Sequence, residues 1–325
     1  MRGIDKLRYL RDRPHPGPDL KNEIERLRRE KNAVILAHYY QDGEVQDIAD
    51  FVGDSLGLSQ QATQTQADII VFAGVYFMAE TAKILNPSRK ILLPDLNSGC
   101  SLADSCTGSD LLKLKSKYPD HVVVSYINCS AEVKALSDLV CTSSNAEKII
   151  NAVPVDREII FVPDKNLGRY LIQKTGREMK LWDGACVVHE AFSIQKLLDL
   201  HKAHPDALIV AHPESEEHIL RVANYIGSTS GMIDFVTKSK GSTFLIATEA
   251  GILHQMQQAV PQKTLIPSPV KENNSCACSE CASMRLNTIQ KIYNCLKYEN
   301  PEITVPAEVA KKALTPIRRM LELSV

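Results

Sequence analysis

The sequence predicts an α/β protein built from three pseudo-symmetric α/β/α three-layer domains around a central active site. Three observations carry that expectation. Short apolar runs alternate with helical patterns, the alternation recurs three times at a near-constant interval, and each recurrence ends in a cysteine-bearing loop. Alternating strands and helices form parallel sheets covered by helices. A period this long exceeds that of stacked solenoid repeats, so the units are expected around a common centre.

Taken in order, "AVILAHYY", "HVVVSYIN" and "ALIVAHPE" begin at residues 33, 121 and 207, which are 88 and 86 apart. Each is short, continuous and apolar, the pattern of a buried parallel strand. A helical pattern follows, then a small polar cluster: "VGDSLGLSQQA", "VCTSSNAEK" and "YIGSTSGMI". Second strands are expected in "ADIIVFAG", "REIIFVPD" and "STFLIATE". Helices follow in "YFMAETAKILN", "NLGRYLIQK" and "AGILHQMQQA", then third strands in "KILLPD", "MKLWDG" and "KTLIPS". The loops "LNSGCSLAD", "WDGACVVHE" and "NNSCACSECASMRLN" come next, then a helix and a Pro-acid pair. The last pair, "NPEITVP", reads as the opening of a fourth unit folded back beside the first. The expected domains are 1–102 with 281–325 packed on it, 103–188 and 189–280.

Composition narrows the function. With 38 basic and 39 acidic residues the net charge is -1, so no global field recruits nucleic acid or anionic membrane. Small-molecule partners are expected. There is no apolar signal-peptide core, no run long enough to span a bilayer, no G-x-G-x-x-G and no Walker A loop. A cytoplasmic location is expected, and nine scattered cysteines there do not make a disulfide framework.

The repeat selects three of the nine. Cys100 and Cys186 each precede a unit-opening proline by 19 residues; before Pro301, Cys281 stands at 20, Cys278 at 23 and Cys276 at 25. Ligands bind outside the carboxyl ends of strands in α/β sheets, so equivalent cysteines would converge. Thiols placed just before helix N-termini are expected to have lowered pKa values. Such a trio can hold zinc with an open fourth site, or a 4Fe-4S cluster with one iron free of protein ligand. No matching second pair favours a zinc motif, and an open-iron catalytic cluster fits better. Cys106, Cys129, Cys141 and Cys295 read as buried thiols. Cys276 and Cys278 divide evenly between that and a redox or loop-tuning role.

Polar residues recur with the repeat. The first strands end in His38 and Tyr40, Tyr126 and Asn128, and His212 and Glu214, each pair two apart and on one face. They supply acid-base groups and neutral hydrogen-bonders, with His189 beside Cys186. Ser55, Ser143 and Ser228 with Thr229 read as helix N-caps that can also present donors to an anion.

These residues resemble the quinolinate synthase family of de novo NAD biosynthesis. The resemblance rests on "LAHYYQ", "GDSLGLS", "PDLNSGCSLAD", "SYIN", "TSSNA", "FVPDKNLG", "WDGACVVHE", "AHPE", "GSTSGM", "ATEAG" and "CASMRLNT". It implies a transferase that condenses iminoaspartate with dihydroxyacetone phosphate, losing phosphate and two waters, on a 4Fe-4S cluster held by Cys100, Cys186 and Cys281. It further implies Tyr40 and Glu214 as proton-moving groups, supported by His38, His189 and His212. Substrate would be gripped by His38, Ser55, Tyr126, Asn128, Ser143, His212, Glu214 and Thr229. L-aspartate oxidase or aspartate dehydrogenase is the implied supplier of iminoaspartate. The family's loop is often spaced C-x2-C-x2-C, whereas this chain has C-x-C-x2-C with the third cysteine in register.

Overall fold

The computed structural model describes residues 19–271 and 279–324. It contains three four-stranded parallel sheets. The first comprises β1 (Ala33–His38), β2 (Phe51–Gly53), β3 (Ile69–Ala73) and β4 (Lys90–Leu92). The second comprises β5 (Val122–Tyr126), β6 (Leu139–Cys141), β7 (Ile159–Val162) and β8 (Met179–Leu181). The third comprises β9 (Leu208–Ala211), β10 (Tyr225–Ile226), β11 (Thr243–Ala247) and β12 (Thr264–Pro267). Their orders are identical: β2-β1-β3-β4, β6-β5-β7-β8 and β10-β9-β11-β12.

The expected strands are all present, and each sheet has one more. β2, β6 and β10 are the additions, each only two or three residues long and directly before the small polar cluster. So short a run has no alternation to reveal it; pairing with the preceding strand defines it.

The central strands are apolar because helices cover both faces. Every residue of β3 and β7 is buried. In β1, Leu36 packs into one cluster while Ile35 and Ala37 pack into another, as alternation across a pleated sheet requires. The cluster around Leu36 continues into the second sheet through Val124, Tyr126 and Phe161, so the first two units share a core. The third unit has two clusters of its own, one of which takes in Tyr39 and Tyr40 from the first unit.

The C-terminal segment ties these units together. Helix Ile289–Tyr298 lays Ile292, Cys295 and Leu296 on the first sheet beside helix Leu20–Glu30. The Pro-acid pair does not open a fourth unit. Glu302 makes an antiparallel bridge to Leu92, with Ile303 N–H donating to the Ile91 carbonyl at 2.8 Å and Leu93 N–H to Pro301 at 3.3 Å. It therefore caps the edge of β4. Helix Ala307–Glu322 continues onto the second unit, against helix Ala131–Leu136 and β6. Its Ile317 and Met320 are fully buried, each contributing about 1.5–3 kcal/mol of burial. Among the described residues no helix is long and apolar enough to cross a membrane.

Candidate active site

One cavity of about 250 Å³ opens at the carboxyl ends of the three sheets, and all thirteen site residues that the resemblance implies line it, whereas Ser228 does not. β1 delivers His38 and Tyr40, β5 delivers Tyr126 and Asn128, and the end of β9 delivers His212 and Glu214. The small polar clusters supply Ser55, Ser143 and Thr229, and the loops after β4, β8 and β12 supply Cys100, Cys186 with His189, and Cys281.

The three sulfurs share one environment. Each is approached by the backbone N–H groups of the residues two and three positions later: Leu102 and Ala103 for Cys100, Val188 and His189 for Cys186, and Ser283 and Met284 for Cys281. Each cysteine is followed seven residues later by the hydroxyl N-cap of a ten-residue helix: Thr107, Ser193 and Thr288. By that measure Cys281 matches Cys100 and Cys186 without offset. The extra residue that puts it 20 from its proline lies beyond the helix, where Glu299 takes a left-handed conformation (φ 52) before Asn300. Cys276 and Cys278 lie outside the described residues.

Two expectations need correction. The helices do not begin at the cysteines. Cys100 caps only the four-residue helix Ser101–Asp104, and Cys186 and Cys281 lead into the 3-10 turns His189–Ala191 and Met284–Leu286. Nor are the thiol pKa values lowered. Burial outweighs the N–H donors and pushes Cys100 up to about 12, with Cys186 and Cys281 also raised. A bound cation would offset that cost and favour the thiolates. Cys106, Cys129, Cys141 and Cys295 are buried away from the cavity lining.

The hydroxyl clusters also differ in detail. Ser228 is a cap, accepting from Gly231 N–H at 3.2 Å, but Asp54 rather than Ser55 caps helix Ser55–Gln64. Asn145 occupies the cap position of helix Ala146–Ala152, leaving the Ser143 hydroxyl 3.2 Å from His212 Nε2. Ser55 and Ser143 are thus free of capping duty. Asp54 Oδ2 accepts from Ser144 at 2.7 Å and Ser230 at 2.6 Å, joining all three units beneath the cavity.

Glu214 sits at the middle of the acid-base groups. Its Oε1 accepts the Tyr126 hydroxyl at 2.5 Å and its Oε2 stands 3.1 Å from His189 Nδ1. Burial would raise its pKa, yet the neighbouring His189 and the Tyr126 hydrogen bond hold it well below the usual carboxylate range. Burial lowers His38 to about 4 and His212 to about 3, so both imidazoles are neutral near pH 7. Burial and the Glu214 charge keep Tyr40 and Tyr126 protonated. Around the Glu214 carboxylate the site thus gathers the neutral imidazoles of His38 and His212 and the phenols of Tyr40 and Tyr126, a set suited to passing protons.

The Asn128 Oδ1 and Thr142 Oγ1 atoms are buried, line the cavity and have no hydrogen-bond partner among the described residues, which leaves both for a ligand. Sequence reasoning missed Thr142, although it adjoins Ser143. It also missed Glu249, which accepts from the backbone N–H of Cys281 at 3.0 Å and of Gly251 at 2.6 Å while Arg285 reaches it at 3.2 Å. Cys186, His189 and Glu214 present ligand atoms within 4.8 Å of one another, a group of metal-binding types.

Known proteins resemble this chain along nearly its whole length. The family model described as quinolinate synthetase A protein matches residues 22–322. A quinolinate synthase of Microcystis aeruginosa is 60% identical over 306 residues, covering 94% of this chain and 95% of that protein. One of Gloeothece citriformis is 59% identical over 306 residues, covering 94% of both chains. One of a Nostoc species is 55% identical over 317 residues, covering 97% of both. Among solved structures, the E-1-hydroxy-2-methyl-but-2-enyl-4-diphosphate reductase of Plasmodium falciparum aligns over 78% of this chain and 88% of that chain at 13% identity and a TM-score of 0.32, too slight a likeness to bear on function. With a family model spanning nearly the whole chain and relatives this similar along their full length, the chain belongs to the quinolinate synthetase A protein family.

Proposed function

We propose that the cavity is where this quinolinate synthase joins iminoaspartate to dihydroxyacetone phosphate, with Cys100, Cys186 and Cys281 as the ligands of a 4Fe-4S cluster. The observation that carries the reading is the repeated sulfur environment: three thiols from three units, each given the same two backbone N–H donors, around one cavity. N–H donors lower the cost of thiolate charge, and three such thiolates fit a cluster whose fourth iron has no protein ligand. When bound, such a cluster supplies Lewis acidity to a substrate oxygen.

The chain's own residues bind and move protons. The Ser55, Ser143 and Thr229 hydroxyls, with Asn128 and Thr142, hold carboxylate and phosphate oxygens at the polar end of the cavity. Glu214 takes a proton from carbon as the condensed product isomerises, and Tyr40 and Tyr126 give or take protons on oxygen as water leaves. The neutral His38 and His212 orient substrate through hydrogen bonds. Buried apolar residues at the wall, among them Phe77 and Met78, limit water around the labile imine. Iminoaspartate would come from L-aspartate oxidase or aspartate dehydrogenase in the same cytoplasm. The chain divides into 1–102 with 281–325, 103–188 and 189–280.

A different reading, a single zinc on Cys186, His189 and Glu214, is favoured by the closeness of those three groups. One experiment separates the two. Anaerobically prepared protein is assayed for iron, sulfide and zinc, and for quinolinate formed from the two substrates. Four irons and four sulfides, the composition of the cluster, are expected together with product. One zinc without sulfide would overturn the cluster assignment.

A further inference from the structure

Lys134, on helix Ala131–Leu136 of the second unit, is fully buried. A lysine is almost never so deep in a protein without partners. Its Nζ donates to the Cys129 carbonyl and stands 5.2 Å from the centre of the Phe77 ring, and its charge acts on the Glu80 carboxyl. Glu80, from the first unit, accepts in turn from Ala131 N–H at 3.0 Å. The lysine does not line the cavity, but Phe77 does, and so does Asn128, the residue before Cys129.

The first unit carries the same arrangement. Ala37 pairs with Ala73, Ser125 with Val162 and Ala211 with Ala247, so His38, Tyr126 and His212 share one register. Three residues on stand Gln41, Cys129 and Ser215, and eight residues on stand Gln46, Lys134 and Leu220. Gln46 is also buried, and its Nε2 donates to the Gln41 carbonyl at 2.8 Å, as Lys134 does to Cys129. In both units a buried donor on the helix after the first strand thus grips the carbonyl directly after a cavity residue, Tyr40 or Asn128. Leu220 has no donor to offer. In the third unit Asn166 Nδ2 reaches across from the second and takes the Glu214 carbonyl at 3.2 Å.

The grip bears directly on Asn128. Its Oδ1 is buried and has no hydrogen-bond partner among the described residues, so the turn that follows sets its aim. That turn is pinned twice, by Lys134 at the Cys129 carbonyl and by Glu80 at Ala131 N–H. A donor that carries charge holds a carbonyl more firmly than a neutral one.

We propose that Lys134 is a positioning residue for Asn128: by fixing the Cys129 carbonyl it keeps the Asn128 amide aimed into the cavity for substrate. It acts on the reaction only through that turn, and the assignment rests on the active-site reading above.

The test uses the full chain and reads kcat, KM for the two substrates and iron content. Lys134→Met keeps the apolar stem and loses the donor, but it leaves the Glu80 charge without its neighbour. A second variant, Lys134→Met with Glu80→Gln, removes that charge and keeps an acceptor for Ala131 N–H. Expected in both is a KM for at least one substrate higher by roughly 3- to 10-fold, the worth of one neutral hydrogen bond, with kcat and iron close to those of the unchanged chain. Adding Lys134→Met to Asn128→Ala should raise KM no further, because the two residues act as one unit. An unchanged KM in the second variant would overturn the proposal, and so would an additive effect in the Asn128→Ala background. If the unchanged chain forms no quinolinate, or Asn128→Ala keeps its KM, the active-site reading fails instead. The side-chain amide resonances of Asn128 in cluster-free protein then decide: displaced signals in Lys134→Met support the positioning role, and unmoved signals overturn it.

Discussion

The Ser230 hydroxyl donates to Asp54 Oδ2 at 2.6 Å, linking the third unit to the first, and Ser144 adds the second unit to the same oxygen. Asp54 also caps its own helix through Gly57 N–H at 2.9 Å. Asp54→Ala therefore unpairs two hydroxyls and a helix end at once. Unfolding in urea should shift by about 1–3 kcal/mol, and KM should rise because Ser55, Ser143 and Thr229 are neighbours of the lost contacts. Asp54→Asn, which keeps one acceptor oxygen, should lose less on both counts. Equal stability of the alanine variant would show that the three-way contact holds nothing.

The cysteines should separate into two groups. Ser in place of Cys100, Cys186 or Cys281 should abolish anaerobic iron content and quinolinate formation. The same change at Cys276 or Cys278 should leave the cluster in place, with activity altered modestly at most. Iron content of the variants, measured side by side, decides; loss at Cys278 with retention at Cys281 would reverse the assignment.

Glu214→Gln and Tyr40→Phe should lower kcat by about 10²–10⁴-fold while iron content stays the same, because each removes a proton-moving group without touching a thiol. A raised KM with unchanged kcat would make both residues binding groups only.

Glu299 offers a pH test remote from the cavity. Lys31 and Lys90, at 2.6 and 2.5 Å, hydrogen-bond to it and hold its pKa at about 2, below the ordinary 4.5. A depressed carboxylate stabilises the fold above its unfolded pKa and loses that contribution as pH falls toward its folded value. The stability gap between the unchanged chain and Glu299→Gln should therefore be constant at neutral pH and shrink between pH 4.5 and pH 2. Its size should be under about 1 kcal/mol, because the pair is partly exposed, and it should fall with added salt. Urea titrations at several pH values measure it.

Much of this was legible in the sequence because the repeat acts as an internal comparison. His38, Tyr126 and His212 were found together since each ends a continuous apolar strand at a fixed interval. Cys281 was chosen by distance to a proline, yet the stronger signal was the hydroxyl seven residues on, at Thr107, Ser193 and Thr288. The one-residue mismatch came from Asn300, after the helix. What stayed hidden was set by contacts between units. Asp54 reads as a simple helix cap until Ser144 and Ser230 reach it. Glu249 sits in "ATEAG", which carries the resemblance but no repeat-spaced polar pair, and only folding brings it to the backbone N–H of Cys281. The short strands β2, β6 and β10 escaped because backbone pairing, rather than side-chain pattern, defines them.

The three sulfur positions lie far apart along the chain, and the wall formed by Cys281 to Met284 is the last to be synthesised. During translation the first two thiols emerge well before the third, and the core shared by the first and second units still lacks Met284, Ile303, Ile317 and Met320. For that interval Cys100 and Cys186 face a cavity whose wall still lacks Cys281 to Met284. Assembly of the centre is therefore a late event in the life of each molecule, and a chain cut short before residue 281 would keep the strands of all three sheets yet lack the third thiol.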